Sequence, residues 1–261
     1  TGLLEIPNAR FMEQASLRLN FSSSWPNEFT TLTATPFPWL EATYRYTEIK
    51  NKNYGPFRYS GNQSWKDKAF DLKVKLLNER YYLPNIAIGL RDFAGTGAFS
   101  SEYIVATKSV GNFDITTGIG WGILGLENSI RNPFNSLHSS FQTRGAIGGN
   151  EGGDLNYSVW FAGPAAMFGG VEYSLRKYGL KLIAEYDSSD HENSYRNPMR
   201  VKSKLNLGLN YHLSDSFQMG LSFDRGTNFR LSFSLKGNFY EDTLPKPSPK
   251  NVIPLNSDQK K

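Results

Sequence analysis

The feature that most constrains this chain is an alternation of apolar and polar residues that recurs in many short segments. It is clearest in residues 204–213 and 230–236, and it is repeated in residues 17–21, 72–76 and 217–223. Successive side chains of a β-strand point to opposite faces, so a period of two predicts strands. Helical periodicity is hard to find in the chain. The alternation therefore predicts an all-β fold.

Twelve strands are predicted from the alternating segments and from the turn residues between them. They lie at residues 15–23, 28–36, 39–49, 68–77, 86–94, 100–110, 113–124, 166–176, 179–188, 202–213, 216–224 and 228–239. An even number of antiparallel strands lets both chain ends leave on the same side, as in the single-chain barrels of bacteria.

Charged side chains are sorted onto one face of these strands, and the other face is almost free of charge in the strand centres. The charged parity contains Arg18, Glu41, Arg45, Asp71, Lys73, Lys75, Arg91, Glu102, Lys108, Asp114, Glu172, Lys181, Glu185, Asp187, Lys202, Lys204, Asp224, Arg230 and Lys236. The clean parity presents residues such as Leu19, Leu207 and Phe233. A basic residue on the lipid face at the bilayer midplane costs about 2–4 kcal/mol. The sorting therefore favours an apolar face toward lipid and a charged interior.

A soluble β-sandwich would show the same alternation, and three further observations favour the membrane. Many predicted strands have ~9–11 residues, the length of a tilted bilayer crossing. Short connections alternate with long ones, the longest being residues 50–67, 125–165 and 189–201. Aromatic residues gather at the strand ends, as in the interfacial girdles of barrels. They are Trp39, Tyr81, Tyr82, Phe113, Tyr178, Phe217, Phe239 and Tyr240 at one rim, and Trp25, Trp65, Phe93, Trp121, Tyr186, Phe223 and Phe229 at the other.

The predicted fold is thus a transmembrane antiparallel up-and-down β-barrel of about 12 strands, in the lipid bilayer of an outer membrane. Short turns usually face the periplasm, so both termini are expected there. Residues 15–239 form the barrel, residues 1–14 are a periplasmic lead-in or a plug of the lumen, and residues 240–261 are a Pro- and Lys-rich periplasmic tail.

Composition excludes several other classes of protein. The chain has no cysteine, which excludes disulfide scaffolds and thiolate metal sites. No apolar run reaches the ~18–20 residues of a spanning helix. The net charge of +5 could indicate an acidic polymer as partner. Nucleic acid is not expected, because the basic residues alternate into the barrel. No cofactor and no metal are predicted.

The inward basic and acidic residues are the candidate functional site. They allow two interpretations, a hydrated lumen that holds or passes an anionic glycan, and a ladder of internal salt bridges that fills a narrow barrel. The candidates for lining the lumen and contacting glycan are Arg18, Arg45, Lys73, Lys75, Arg91, Lys108, Glu172, Lys181, Glu185, Lys202, Lys204 and Arg230. A further candidate is the row Gly118, Gly120 and Gly122, which could receive a folded-in segment or a sugar ring, or could allow local coiling of the sheet.

Catalysis has little support in the sequence. A nucleophilic site needs a base within hydrogen-bond reach of the nucleophile and a third group that orients the base. The chain has three histidines. His138 lies beside Ser139 and Ser140. His191 lies beside Asp190 and Glu192, and with Asp187 these residues form a cluster that could bind a divalent cation. Exposed acidic loops are commoner than metal sites, so no metal site is assigned to this cluster. Because the histidines are few and scattered, the chain is not expected to be an enzyme.

Several segments, taken in order, resemble the YjbH/GfcD-like outer-membrane proteins of exopolysaccharide and capsule operons. They are residues 2–10, 161–173, 184–187, 206–211 and 224–226, which together extend over nearly the whole chain. The resemblance implies an outer-membrane barrel of a Gram-negative bacterium. It also implies that the barrel works with periplasmic partners and a Wza-like polysaccharide export protein. It brings no catalytic residues.

The function expected from the sequence is assistance in exopolysaccharide or capsule export or surface assembly. Two alternatives remain open. A general diffusion porin would need an open lumen, and an outer-membrane hydrolase would need His138 or His191 in a catalytic arrangement.

Overall fold

The computed structural model describes residues 2–145, 155, 157–191 and 199–240. Twelve antiparallel strands form one closed ring in which each strand pairs with its neighbours in sequence, and the first pairs with the last. The strands are β1 (Ser16–Ser24), β2 (Asn27–Phe37), β3 (Leu40–Asn53), β4 (Ser64–Leu77), β5 (Asn85–Arg91), β6 (Ser101–Val110), β7 (Phe113–Gly120), β8 (Ala166–Leu175), β9 (Leu180–Tyr186), β10 (Leu205–His212), β11 (Phe217–Asp224) and β12 (Asn228–Asn238). The predicted 12-strand antiparallel barrel is confirmed.

Strands β1 and β12 close the ring with a continuous register from Ser16 opposite Asn238 to Ser23 opposite Leu231. This register places Leu19 beside Leu235 and Phe21 beside Phe233 on one face. Every strand therefore has two hydrogen-bonded neighbours. A ring without edges satisfies the backbone polar groups internally, which a protein in lipid requires.

The outer wall of the ring is apolar. Large side chains of the predicted lipid face are exposed there, including Leu19, Leu182, Leu205, Leu207 and Leu231. The alternate residues of the same strands are buried or half-buried inside, as with Arg230 and Asn206. This arrangement is that of a barrel that crosses a bilayer, with apolar side chains outside and polar side chains inside. In the part of the chain that the structure describes, no helix has the length and apolar character to cross a membrane.

Strands β3 and β4 are longer than predicted, at 14 residues each. Their added ends carry charges on the outer face, where the Lys50 ammonium lies 3.1 Å from the Glu28 carboxylate and 3.2 Å from that of Glu48. Paired charges on an outer wall belong in water, so these ends project beyond the hydrocarbon. Polar residues on both faces hide a strand from hydrophobic periodicity, which explains the missed length.

Strands β7 and β10 are the most shortened relative to the prediction, with 8 residues each. Strand β7 ends at Gly120 because the chain turns at Gly122 (φ +64°) into a 3-10 turn, Gly122–Gly125. Strand β10 begins at Leu205, so Lys202 and Lys204 lie in the connection that precedes it.

The long connections all leave from one end of the ring, here called the long-loop end, and β1 begins and β12 ends at the opposite short-turn end. In the described parts of the long connections there are four short 3-10 turns and the single-turn helix α1 (Phe57–Ser60). A fifth 3-10 turn, Arg176–Tyr178, lies at the short-turn end. Residues 146–154 and 192–198 of the long connections and the tail from residue 241 lie outside the described residues.

Two tryptophans predicted for the aromatic girdle are not on the lipid surface. Trp65 points inward and packs edge-on against Phe99 of the β5–β6 connection. Trp121 is fully buried under Phe134 and Phe161 of the β7–β8 connection, with ring centroids 5.2 Å away in both cases. Long loops that fold back onto strand ends therefore cover these rings, and strand alternation alone cannot show this.

Candidate functional site

The chain before β1 lies inside the ring, here called the N-terminal segment (residues 2–14). The Ala9 N–H donates to the Thr107 hydroxyl of β6 at 2.9 Å, and the Leu4 N–H donates to Glu185 of β9 at 2.9 Å. Gly2 and Pro7 pair across a tight turn at the far end of the segment. Of the two placements considered for residues 1–14, these contacts correspond to the one inside the lumen.

The N-terminal segment fills one side of the lumen with apolar contacts. Its Leu3, Ile6 and Ala9 are buried in a single cluster with inward residues of β5 to β9. We call this the packed side of the lumen, and it is formed by Ala87, Tyr103, Val105, Phe168 and Ile183. A barrel interior that is apolar here is explained by the segment that it contacts.

Two inward glycines make room for the segment. A Cβ atom on Gly170 would lie 2.6 Å from the Leu3 side chain, and one on Gly208 would lie 2.7 Å from the Leu4 side chain. A side chain at either position would require the leucine to move away from the wall. The close approach of these leucines to the wall therefore depends on glycine at both positions.

The buried carboxylate of Glu185 on β9 binds the backbone of the turn in the N-terminal segment. Its carboxylate accepts hydrogen bonds from the N–H groups of Leu4 at 2.9 Å, Glu5 at 2.8 Å and Ile6 at 3.4 Å. It also accepts one from the Asn206 amide at 2.9 Å. Four donors around one buried carboxylate satisfy both partners, since the turn would otherwise leave its N–H groups unpaired inside the ring.

Arginines hold the Glu5 side chain of the same turn. Its carboxylate lies 3.0 Å from the Arg225 guanidinium and forms a second ion pair with Arg230. Arg230 also contacts Asp224 at 2.9 Å, and Arg91 donates to the Glu5 carbonyl oxygen at 2.9 Å. We call Arg91, Arg225 and Arg230 the arginine cluster.

At the short-turn end, the segment is held by Arg10 and Lys73. Arg10 contacts Glu79 at 2.6 Å and Asp114 at 2.8 Å. Lys73 donates to the Arg10 carbonyl at 2.7 Å and pairs with Glu41 at 3.1 Å. Partial burial of Glu79 raises its pKa, but hydrogen bonds from Arg10, Lys108 and the Ser109 N–H outweigh it and lower the pKa to about 2. Glu79 therefore stays ionised over the physiological range.

The opposite side of the lumen contains a cavity of about 290 Å³, here called the open side. Hydroxyl and amide side chains of β1, β2 and β10 to β12 form its middle, namely Asn20, Thr31, Asn210, Gln218, Ser232 and Ser234. Arg18 lies toward the short-turn end, and Arg45, Arg91 and Arg230 lie toward the long-loop end. Glu41 and Asp71 also line the cavity, where they pair with Lys73 and Arg45. The cavity thus offers neutral hydrogen-bonding groups between two mainly basic clusters of charged residues.

A second, smaller cavity of about 80 Å³ lies toward the long-loop end. Glu5, Phe29, Arg45 and Arg91 line both cavities. Glu5 and its arginines therefore form part of the partition between the open side of the lumen and the long-loop end.

Most of the sequence-predicted site residues do lie in the lumen, but they do different things there. Arg18, Arg45, Lys73, Arg91 and Arg230 line the larger cavity. Lys75 lies over the ring of Phe11, and Glu172 pairs with Lys181 at 2.7 Å near the short turns. Glu185 binds the segment. The lumen thus contains both salt bridges and a cavity, and two of the salt bridges, Lys73–Glu41 and Arg45–Asp71, line the cavity.

Four predicted positions need correction. Lys108 and Glu102 lie on the outer parity of β6, because Tyr103, Val105 and Thr107 face the segment. Lys108 reaches Glu79 at the rim at 3.0 Å, and the Arg144 guanidinium binds Glu102 at 2.6 Å. Lys202 is exposed in the connection before β10, where Lys204 pairs with Glu127 at 2.9 Å. Both faces of β6 carry apolar residues, so its parity could not be chosen from hydrophobicity.

The glycine row of β7 does not receive the segment. A Cβ atom on Gly118 would lie 2.3 Å from the ring of Phe168, and one on Gly120 would lie 2.5 Å from Leu124. Neighbouring side chains of the barrel therefore fill this groove. The residues that the sequence analysis missed are Glu5, Arg225, Gly170 and Gly208. For the two glycines, the sequence did contain a signal, because both lie at inward-facing positions of their strands.

The histidines do not form a complete catalytic arrangement among the described residues. The His138 Nδ1 atom lies 2.9 Å from the Ser140 hydroxyl, and the His191 Nε2 atom lies 2.8 Å from Asp187. The described residues show neither a third group that orients His138 nor a nucleophile hydrogen-bonded to His191. No group of three or more His, Asp or Glu suited to a metal ion occurs among them, and Glu192 of the suggested cation cluster lies outside the described residues.

The fold and its lumen define a membrane-spanning β-barrel whose interior is partly filled by its own N-terminal segment. Residues 1–261 match the family model of YjbH, described as "Exopolysaccharide biosynthesis protein YbjH". The chain belongs to this family.

Comparison with curated proteins finds the uncharacterized lipoprotein YjbH of Escherichia coli K12, 39% identical over 97% of this chain. The chain spans 37% of the length of that relative. Among solved structures, a chain from a study of in-meso crystallization of membrane proteins is 12% identical (TM-score 0.43, 87% of this chain and 85% of that one). The NanC porin is 8% identical (TM-score 0.41, 85% and 98%). TM-scores this low support no argument about function.

Proposed function

We propose that this chain is an outer-membrane barrel that assists the export or surface assembly of an exopolysaccharide or capsule, without catalysing a reaction. The observation that carries the proposal is the open side of the lumen. A polar cavity inside a membrane-spanning ring occurs here in a member of a family described by exopolysaccharide biosynthesis.

The chemistry of the open side suits a sugar chain. Hydroxyl and amide groups both donate and accept hydrogen bonds, as sugar hydroxyls do. Thr31, Asn20, Ser232 and Gln218 supply such groups on the neighbouring strands β2, β1, β12 and β11. A few placed polar groups in a concave site are the usual means by which proteins orient a small ligand.

The orientation in the membrane follows the usual arrangement of barrels. Short turns face the periplasm and long loops face the exterior, so both ends of the ring's chain are placed at the periplasmic side. There they would meet periplasmic partners and a Wza-like export protein. The lipid bilayer of the outer membrane and the polysaccharide itself complete the proposed set of partners.

The test is to fill the open side in the full-length protein of a producing cell. The triple variant Asn20→Leu, Thr31→Leu and Ser232→Leu puts apolar bulk into the cavity. The matched control Leu19→Ile, Leu207→Ile and Leu231→Ile changes the outer wall. We expect the first variant, at wild-type abundance in the membrane, to reduce surface polysaccharide several-fold and the control to leave it unchanged. Normal polysaccharide in a deletion strain would contradict the proposal.

The porin and hydrolase alternatives have their own readouts. A diffusion porin gives steady, salt-scaled single-channel currents in planar bilayers, whereas a lumen occupied by the N-terminal segment gives small currents or none. A hydrolase cleaves lipid or glycan in a purified assay. Turnover that His138→Ala or His191→Ala abolishes would overturn the non-catalytic role.

A further inference from the structure

We propose that the arginine cluster is a binding site for the carboxylate of an acidic saccharide, which takes the place of Glu5 and so joins the two lumen cavities. The identity of the ligand rests on the proposed function. The site itself rests on the contacts of Glu5, on unused hydrogen-bond donors and on the position of the partition.

Glu5 occupies the site as a free carboxylate of a sugar acid would. Its side chain is partly exposed, at 22%, while the side chains of Arg225 and Arg230 are 3% and 10% exposed. Two largely buried guanidinium groups, those of Arg225 and Arg230, therefore bind one partly accessible carboxylate. Arginine-to-carboxylate pairs are among the stronger polar contacts, and their fork geometry selects planar anions.

The arginines retain donors that Glu5 does not use. Among the described residues, the Nε–H groups of Arg45, Arg225 and Arg230 are buried without a hydrogen-bond partner. Buried donors are normally satisfied, and an exception calls for an explanation. A sugar acid brings a carboxylate with hydroxyls beside it, so it offers more acceptors in the same space than a glutamate side chain.

Access to the site comes from the open side. Arg45, Arg91 and Arg230 line the larger cavity, next to the hydroxyl and amide groups of Ser22, Asn210 and Ser232. A saccharide in this cavity can therefore place its hydroxyls on the neutral groups and its carboxylate on the arginines. Arg18 at the other end of the cavity offers a second cation for the next acidic unit of a polymer.

Displacement of Glu5 would open a path. Glu5 lines the larger cavity and the smaller one beyond it, so its withdrawal removes part of the wall between them. The rest of the segment remains anchored at Arg10 and Lys73. Binding of the ligand would thus displace the Glu5 side chain that separates the two cavities.

The test measures saccharide binding to the purified chain in detergent micelles by titration calorimetry. The probe is trigalacturonate, and the neutral comparison is galactotriose. If Glu5 competes with the probe, Glu5→Gln binds trigalacturonate at least about five-fold more tightly than wild type. The matched control Glu13→Gln removes a carboxylate of the same segment that lies 3.9 Å from Lys236, away from the arginine cluster. We expect it to bind like wild type.

Arg230→Gln should weaken binding of trigalacturonate more than ten-fold. Equal affinities of Glu5→Gln and Glu13→Gln would overturn the proposal, as would equal binding of galactotriose. Inorganic phosphate that binds the wild type as tightly as trigalacturonate would show a general anion site and overturn the saccharide assignment.

A second measurement needs no variant. Hydrogen exchange of the wild type should show faster exchange of the Glu5 and Ile6 amides in saturating trigalacturonate and no change in galactotriose. Unchanged exchange with bound trigalacturonate would contradict displacement. Since these assays use purified protein, their failure is distinct from a failure of the export test in cells.

Discussion

The two sides of the lumen are built from different strands of one ring, and their side chains differ in kind. The packed side is a small hydrophobic core, in which Ile6 and Ala9 are fully buried against β5 to β9. The open side keeps hydroxyls, amides and arginines around an unfilled volume of about 290 Å³. A ring of this size is too wide for its own side chains to fill, so a peptide fills half of it and the rest stays polar.

This difference indicates that the packed side contributes mainly to stability and that the open side is available for binding. Apolar contacts on the packed side resist substitution, because a buried side chain leaves a cavity when it is removed. Side chains of the open side face space that water or a ligand can occupy. Substitution should therefore be costly on one side and nearly neutral on the other.

The largest effect is expected at the boundary between the two sides. Lys73→Met removes one partner of Glu41, and the side chains of both residues are almost completely buried. Loss of one member of a buried ion pair costs about 3–5 kcal/mol. Lys75→Met, two residues along the same strand, should cost less than about 1 kcal/mol because Lys75 is more accessible. Urea unfolding in micelles measures both, and equal losses would refute the distinction.

A direct comparison of the two sides comes next in size. Ile6→Ala should weaken the docking of the N-terminal segment by about 2–5 kcal/mol, since Ile6 is fully buried. Thr31→Ala on the open side should change stability by less than about 0.5 kcal/mol. Hydrogen exchange of the Ala9 amide reports the docking. If the two variants exchange equally fast, the packed side is not a core.

The long-loop end of the open side should show a pH dependence. Burial of Asp92 raises its pKa from 3.8 to about 6, only partly offset by a hydrogen bond from the Phe99 N–H. The folded state then binds a proton more tightly than the unfolded state. Stability of the 92–100 connection is greatest below pH 4 and is lost as the pH rises from 4 through 6, by about 3 kcal/mol.

Asp92→Asn should flatten this dependence. The measurement is the exchange of the Phe99 amide between pH 4 and 8, corrected for its intrinsic rate. Protection that increases with pH in the wild type would contradict the sign.

The smallest effect is a matched pair of glycine substitutions. Gly208→Ala pushes against the side chain of Leu4 and the Cβ atom of Ser222, and should cost about 1–2 kcal/mol. Gly220→Ala meets Ser232 and Asn210, whose side chains can turn into the open cavity, and should cost about half as much or less. Thermal unfolding of the two variants separates them. A larger loss for Gly220→Ala would reverse the assignment of the two sides.

The alternation of residues along the chain predicted the strands and most of their inward faces, because a lipid surface tolerates so little charge that the pattern is strong. It failed where both faces are apolar, as around Tyr103 and Val105, and where both are polar, as beyond Tyr46 on β3. In both places the usual contrast between lipid and interior is absent, so hydrophobicity carries no information about the face.

The sequence by itself determined the ring of twelve strands, the sorting of charge to the inside and the family to which the chain belongs. Only the tertiary structure decided what occupies the lumen. Glu5 and Glu185 meet across 180 residues of chain. Arg225 reaches Glu5 from the turn between β11 and β12, and Arg230 reaches it from β12, at the other end of the sequence. Alternation is a local property of each strand, whereas the fit of a segment against several strands depends on how the closed ring brings distant residues together.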